Sequence, residues 1–259
     1  MNTKFERTAH SLPSHIQLAE AEEKLRIREY FNNKPNGVYI EVGANDPTSP
    51  ESQTYHLERL LNWTGILIEP IPFFADVARN ERPNSIVCQC VCTSPSKTGV
   101  TELHVPRVGN ELISGHASVE RNLDEHEYKD FVPILVDART LFEICSSHNV
   151  IDVDLLSIDV EGAELDVLMG ASLSTLRPRL ILLEDKHLYL SKHRFLVKSG
   201  YVLAQRHNRN SWYVRKDQPL PQVKLRDKVK LWKRMYLSIW VKKVRYSIKH
   251  KTIKPFLAL

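Results

Sequence analysis

Val38-Tyr39-Ile40-Glu41-Val42, followed by Gly43-Ala44-Asn45-Asp46-Pro47, decides the fold of this 259-residue chain. A short, mostly apolar run has the length and composition of a strand covered on both faces, and the Gly-to-Pro stretch after it cannot continue that strand. The pattern recurs in Gly65-Ile66-Leu67-Ile68-Glu69, closed by Pro70, and then in Ile86 to Cys92, Asp154 to Asp159 and Arg179 to Glu184. Between these runs the apolar spacing becomes helical. Helices are predicted from about Ser14 to Phe31, and from Ser49-Pro50, read as an N-cap with proline at the first helical position, to about Asn62. Further helices are predicted at Phe73 to Asn80, Arg139 to His148, Ala163 to Met169 and Leu188 to Ser199. Thr98 to Pro106 and Phe131 to Val136 read as shorter added strands, and Tyr201 to Arg206 with Ser211 to Arg215 as a terminal hairpin. Strands alternating with helices imply an α/β fold: a mostly parallel sheet with helices on both faces and an antiparallel hairpin at its end.

The division expected from this pattern is an N-terminal helical segment (1–35), one α/β domain (36–217) and a C-terminal tail (218–259). Charge supports the last boundary. The tail holds twelve Lys/Arg and one acid, Asp227, a net +11, so the rest of the chain carries −6 of the total +5. The body is mildly acidic, and nothing in it argues for nucleic acid as a partner. Trp232, Tyr236, Ile239 and Trp240 share one side of a tail helix with Lys243, a pattern suited to anionic lipid, to acidic glycan or to docking on the body. No window of 18 residues is apolar and uncharged, and Met1 to Pro13 lacks the apolar core of a secretory signal. A cytoplasmic protein is expected, with possible attachment at the inner face of the membrane through the tail. Cys88, Cys90 and Cys92 alternate, so one strand would present them on one face; with Cys145 they read as small buried residues rather than disulfide partners or a metal site.

Open parallel sheets bind ligands beyond the carboxyl ends of their strands. There the sequence places Glu41, Gly43, Asn45 and Asp46 after the first strand, Glu69 after the second, Asp159 and Glu161 after the fourth, and Glu184, Asp185 and His187 after the fifth. So many acids in one place call for a ligand rich in hydroxyl and amino donors. A dinucleotide would need three glycines in G-x-G-x-x-G, whereas only Gly43 is present and Asp46 would repel its phosphates. S-adenosylmethionine carries no phosphate. It needs one close backbone approach, carboxylates for its ammonium group and an acid for its ribose diol, which Gly43, Asp46 and Glu69 can supply. Ser52 and Thr54 are either contacts to its methionine end or ordinary first-turn helix polars.

The blocks Tyr39 to Asp46, Trp63 to Pro70 and Leu155 to Glu164, with Val167-Leu168-x-Gly170, resemble the FkbM family of S-adenosylmethionine-dependent methyltransferases, over about Asn36 to Lys216. Pro47 stands where many members have Gly. A subset similar to bacterial surface-polysaccharide and nodulation enzymes has Pro there, with stretches like Leu183 to His187 and Asn210 to Val214. The resemblance implies the class I methyltransferase, Rossmann-like fold and O-methylation of a sugar hydroxyl, such as a fucose or rhamnose residue of a glycan or glycolipid. Within it, His187 is the first choice for general base, with Glu161 and Asp159 next. Glu184, Asp185, Arg206, Asn210 and Trp212 are the expected acceptor contacts, Trp212 either stacking on a sugar or packing in the hairpin. No metal ligand is assigned, although Asp159, Glu184 and Asp185 could hold a divalent ion that acidifies the hydroxyl. The competing reading is a non-catalytic Rossmann-like protein whose basic tail binds membrane or glycan.

Overall fold

A computed structural model describes residues 14–120, 128–184 and 190–251. The chain forms two compact units, Met1–Pro178 and Arg179–Leu259. In the first, strands β1 (Val38–Val42), β2 (Thr64–Ile68) and β3 (Ser85–Cys88) pair in parallel. β1 also pairs in parallel with a later strand, Leu155–Ile158, numbered β8 below. The register sets Val42 beside both Ile68 and Ile158, so three strands end together. Nearly every residue of β1, β2 and β8 is buried, as expected of a parallel sheet covered on both faces.

Helices return the chain between strands. Pro72–Glu81 starts with proline in its first turn, where a missing N–H costs nothing. Leu141–Ser147 starts on a reciprocal box in which Thr140 accepts from the Glu143 N–H and Glu143 accepts from the Thr140 N–H. The helix expected from Ser49-Pro50 begins only at Tyr55 and ends at Leu61. Glu41 captures Ser52, Gln53 and Thr54 by hydrogen bonds, and a backbone bent around a buried carboxylate cannot also wind into a helix.

The single third strand expected over Ile86 to Cys92 is also broken. β3 ends at Cys88, and β4 (Val91–Cys92) leaves the first ladder to pair with β7 (Phe131–Arg139). Cys88, Cys90 and Cys92 therefore do not line one face of one strand; all four cysteines are free and buried. β7 pairs in antiparallel fashion with β5 (Gly99–Val108), and β6 (Glu111–Leu112) closes this smaller sheet. Leu103, Val105 and Val136 of that sheet pack with Ile71 and Phe74, so it is anchored to the segment that follows β2.

The second unit is a three-stranded antiparallel ladder with β11 (Asn210–Arg215) between β9 (Leu180–Glu184) and β10 (Tyr201–His207). Leu225–Trp232 and Ser238–His250 are helices joined by a π turn, Lys233–Leu237. The fold class is the one expected from the sequence: α/β, with parallel pairing at its centre and an antiparallel terminal hairpin.

Candidate active site

The site of the first unit lies where β1, β2 and β8 end. The Gly43 and Ala44 N–H groups donate to the Ile68 carbonyl at 3.0 and 3.1 Å, which pulls the first loop across the end of β2. Gly43 has φ +84°, and a Cβ there would lie 1.8 Å from the Asp159 carbonyl oxygen. Only glycine allows the loops after β1 and β8 to close on each other.

Glu69 follows β2 and is 3% exposed. Its Oε2 accepts from the Asn45 N–H and its Oε1 from the Ile71 N–H, both at 2.7 Å. Burial outweighs these two bonds and pushes the carboxyl up to about 7. Beside it, Asn45 sits at φ +44°, and its Oδ1 is buried with no hydrogen-bond partner among the described residues. A carboxylate and an amide oxygen, both short of donors, suit a ligand that brings hydroxyl or amino groups and would repel phosphate.

Glu41 has a different place. Its carboxylate accepts from the Ser52 hydroxyl at 3.0 Å, the Thr54 hydroxyl at 2.5 Å and the Gln53 N–H at 2.8 Å. It ties residues 52–54 to β1. Asp46 accepts from the Thr48 N–H and hydroxyl at 3.2 Å, shaping the turn through Pro47.

After β8, Asp159 is exposed and Glu161 is half-buried. Glu161 has φ +47° and Gly162 φ +108°, consecutive residues in the left-handed region. A glutamate held there at a strand end is a strained conformation of the kind retained at working sites. Two bonds hold it: Glu164 Oε1 accepts from the Gly162 N–H at 2.9 Å, and the Ser118 hydroxyl donates to the Glu161 carbonyl at 2.8 Å. Ser118 is fixed by a backbone pair with His104 of β5.

The smaller sheet thus delivers a segment the sequence reading did not single out. His116 Nδ1 lies 2.7 Å from the Tyr128 hydroxyl. Burial raises the Tyr128 phenol, and the charge of Glu161 raises it further, so the two groups are electrostatic neighbours. A Cβ on Gly115 would sit 3.6 Å from Asn45 Nδ2. Residues 114–118 therefore lie over the first loop and the β8 loop at once. Their signal was weak because they follow a β-sheet insertion rather than a parallel strand.

The profile of the methyltransferase FkbM domain matches residues 41–225. The chain belongs to this family. It is 36% identical over 173 residues to the 2-O-methyltransferase NoeI of Sinorhizobium fredii, an alignment covering 60% of this chain and 67% of NoeI. Among solved structures, precorrin-6y C5,15-methyltransferase from Geobacter metallireducens matches with 12% identity and a TM-score of 0.40, over 82% of this chain and 93% of its own. The protein is accordingly an FkbM-domain methyltransferase, an enzyme that uses a methyl donor.

Of the other expected site residues of this methyltransferase, Asp185 and His187 lie outside the described residues. In the second unit, Glu184 ends β9 opposite Asn210, with the Arg209 guanidinium 3.8 Å from its carboxylate. Arg206 donates to the Ser211 hydroxyl at 3.0 Å. Trp212 is fully buried in β11, so its ring packs in the hairpin and offers no face for stacking. Among the described residues no cluster of three or more His, Cys, Asp or Glu could hold a metal ion. Burial pushes Cys90 and Cys145 up to about 12, leaving thiols rather than thiolates.

A second group that the sequence did not reveal is Arg82, fully buried at the end of the helix Pro72–Glu81. It donates to Glu58 at 2.6 Å, to the Pro47 carbonyl at 2.7 Å, to the Tyr39 hydroxyl at 2.8 Å and to the Thr54 hydroxyl at 3.0 Å. The loop between β1 and the next helix hangs on this one guanidinium at two points, Pro47 and Thr54. An arginine in a polar Asn80-Glu81-Arg82 run has no sequence mark of burial.

Proposed function

We propose that this methyltransferase transfers a methyl group from S-adenosylmethionine to a hydroxyl of a saccharide, free or lipid-linked. The observation that carries the donor's identity is the donor-starved pair Glu69 and Asn45 Oδ1, which a ribose diol and an amine would satisfy. Gly43 and Asp46 line the same loop, and Glu41, Ser52 and Thr54 hold it in shape. NoeI is a 2-O-methyltransferase, which supports an oxygen acceptor.

The sulfonium supplies an activated methyl group and a good leaving group. The chain's own task is to orient the acceptor hydroxyl and take its proton. Glu161 suits that role: its backbone is held at positive φ after a strand end, its charge acts on Tyr128, and Tyr128 with His116 forms a hydrogen-bonded pair that can orient a sugar hydroxyl. Asp159 and His187 are the competing bases, and Glu184, Asp185, Arg206 and Asn210 the remaining acceptor contacts. No described helix is long and apolar enough to cross a membrane. The basic tail supports peripheral contact with an anionic surface.

The test is methyl transfer from labelled S-adenosylmethionine to a panel of deoxyhexose-containing glycans, with linkage analysis of the product. Glu161→Gln should lower kcat by roughly 10²–10⁴-fold while S-adenosylhomocysteine binding stays near the parent value. If Glu161→Gln keeps full activity and His187→Ala loses it, the base is His187. Chelator-sensitive turnover restored by Mg²⁺ would assign the proton step to a metal instead. Binding of S-adenosylhomocysteine with no methylation of any glycan would overturn the saccharide acceptor.

A further inference from the structure

Beneath the C-terminal helix, within the second unit, is an open cavity of about 480 Å³. Leu203 of β10, Leu220 ahead of the helix, and Leu231 and Met235 on it form apolar walls. Lys216 and Lys228 also line it, and among the described residues no acid does. Its volume lies in the range of pockets that hold small ligands, about 300–1,000 Å³.

Three features mark it as built rather than left over. The helix that roofs it lies almost wholly beyond residue 225, where the methyltransferase domain match ends. That helix is interrupted by the π turn Lys233–Leu237, which carries two of the lining residues, Met235, almost fully buried, and Tyr236. π turns are rare and concentrate at functional positions. The roof is also pinned: His193 lies 3.2 Å from the Tyr213 hydroxyl through Nδ1 and 3.2 Å from the Tyr236 hydroxyl through Nε2.

We infer that this cavity seats the hydrocarbon chain of a single-chain anionic amphiphile, its phosphate held by Lys216 and Lys228, drawn from an anionic membrane surface. Charge complementarity sets the head group, since two lysines and, among the described residues, no carboxylate line the walls. The surroundings set the source. Leu220, Val229, Trp232 and Trp240 are exposed on or beside a helix whose charged residues are nearly all Lys or Arg, the composition that favours an anionic lipid interface. The inference does not depend on which acceptor the enzyme uses.

The experiment titrates the full chain with dodecyl phosphate below its micelle concentration, followed by calorimetry and tryptophan fluorescence. Saturable binding of one molecule per chain is expected, with no heat from inorganic phosphate and about tenfold weaker binding of the neutral dodecyl maltoside. Lys216→Gln with Lys228→Gln, both exposed, should reduce dodecyl phosphate affinity about tenfold and leave dodecyl maltoside unchanged. Ala204→Leu, which adds bulk to the β10 wall, should block both ligands; Trp232→Ala, which takes an apolar lining side chain away at a half-exposed position, should weaken both should Ala204→Leu fail to fold. Sedimentation with phosphatidylglycerol vesicles completes the test. Vesicle binding without binding of monomeric dodecyl phosphate overturns the cavity as a chain site, as does affinity indifferent to all of these substitutions.

Discussion

Glu58 and Glu69 are both buried carboxylates of the first unit, one bonded to the amino-end side of the parallel ladder and one at its carboxyl end, and their surroundings push them in opposite directions. Burial alone would raise Glu58, but hydrogen bonds from Arg82, Ser85 and Tyr39 outweigh it and hold the carboxyl below its ordinary value. Glu69 has two backbone N–H groups and, among the described residues, no cation, and it rises to about 7. The same contrast runs through the neighbours. At the amino end, Asp154 accepts from the Lys34 ammonium at 2.9 Å and the Val38 N–H at 3.0 Å, and the buried Trp63 donates to the Lys34 carbonyl. At the carboxyl end, Asn45 Oδ1 lacks a donor among the described residues and Glu161 sits at positive φ. One end is finished by its own side chains, and the other keeps acceptors that a ligand can complete.

The sharpest way to break this contrast is to remove the cation from the finished end. Arg82→Met leaves Glu58 buried without its partner and should destabilise the protein by about 3–5 kcal/mol in urea unfolding. Adding Glu58→Gln should recover much of that loss, whereas Arg82→Lys, which cannot fork to four acceptors, should recover little. A loss under 1 kcal/mol for Arg82→Met would show that the network is dispensable.

Gly43→Ala acts at the other end. Its Cβ has to displace the Asp159 carbonyl and adopt a left-handed φ, so S-adenosylhomocysteine affinity should fall by about 2–3 kcal/mol, with stability falling by about 1–2 kcal/mol. A larger loss of stability than of binding would make Gly43 a packing residue. Glu69→Ala should weaken the same ligand by roughly 1–3 kcal/mol in calorimetry and leave unfolding nearly unchanged, since the carboxylate is itself poorly accommodated.

Glu69 also gives the contrast a pH signature. Its carboxyl is raised in the fold from 4.5 to about 7, so the fold favours the protonated form. Stability relative to the ionised state is fully present below 4.5 and is lost as pH rises towards 7. A ligand whose hydroxyls donate to this group favours the carboxylate instead. S-adenosylhomocysteine should therefore bind more tightly as pH rises from about 6 to 8 and release a proton near pH 6, measurable as a heat that varies with buffer. Proton uptake would reverse the assignment. The smallest effect is expected at the finished end, where Lys34→Ala removes a half-exposed partner of Asp154 and should cost at most about 1 kcal/mol.

Much of the first unit was legible because its strands are short apolar runs ended by residues that stop them. Val38–Val42, Thr64–Ile68 and Leu155–Ile158 fall where that pattern put them, and Gly43, Glu69 and Glu161 follow from the rule that ligands meet strand ends. The residues that failed to follow local pattern are held by distant ones. Ser49-Pro50 is a sound helix start in isolation, but Glu41 holds residues 52–54 in a loop. Cys88 to Cys92 alternate like one strand, but β4 finds its partner in β7, more than forty residues later. Trp212 carries both a stacking and a packing reading until its full burial is known.

Sequence by itself determined the α/β class, the parallel order of strand and helix, and the basic tail, because composition and period are properties of neighbours along the chain. Tertiary structure alone decided that Arg82 holds one loop at two points, that Tyr128, paired with His116, feels the charge of Glu161, and that the tail helix roofs a cavity. Each of these depends on groups far apart in sequence whose burial changes what their charges and hydrogen bonds are worth, and that energy is set by the dielectric and partners at the final position, not by the residues on either side.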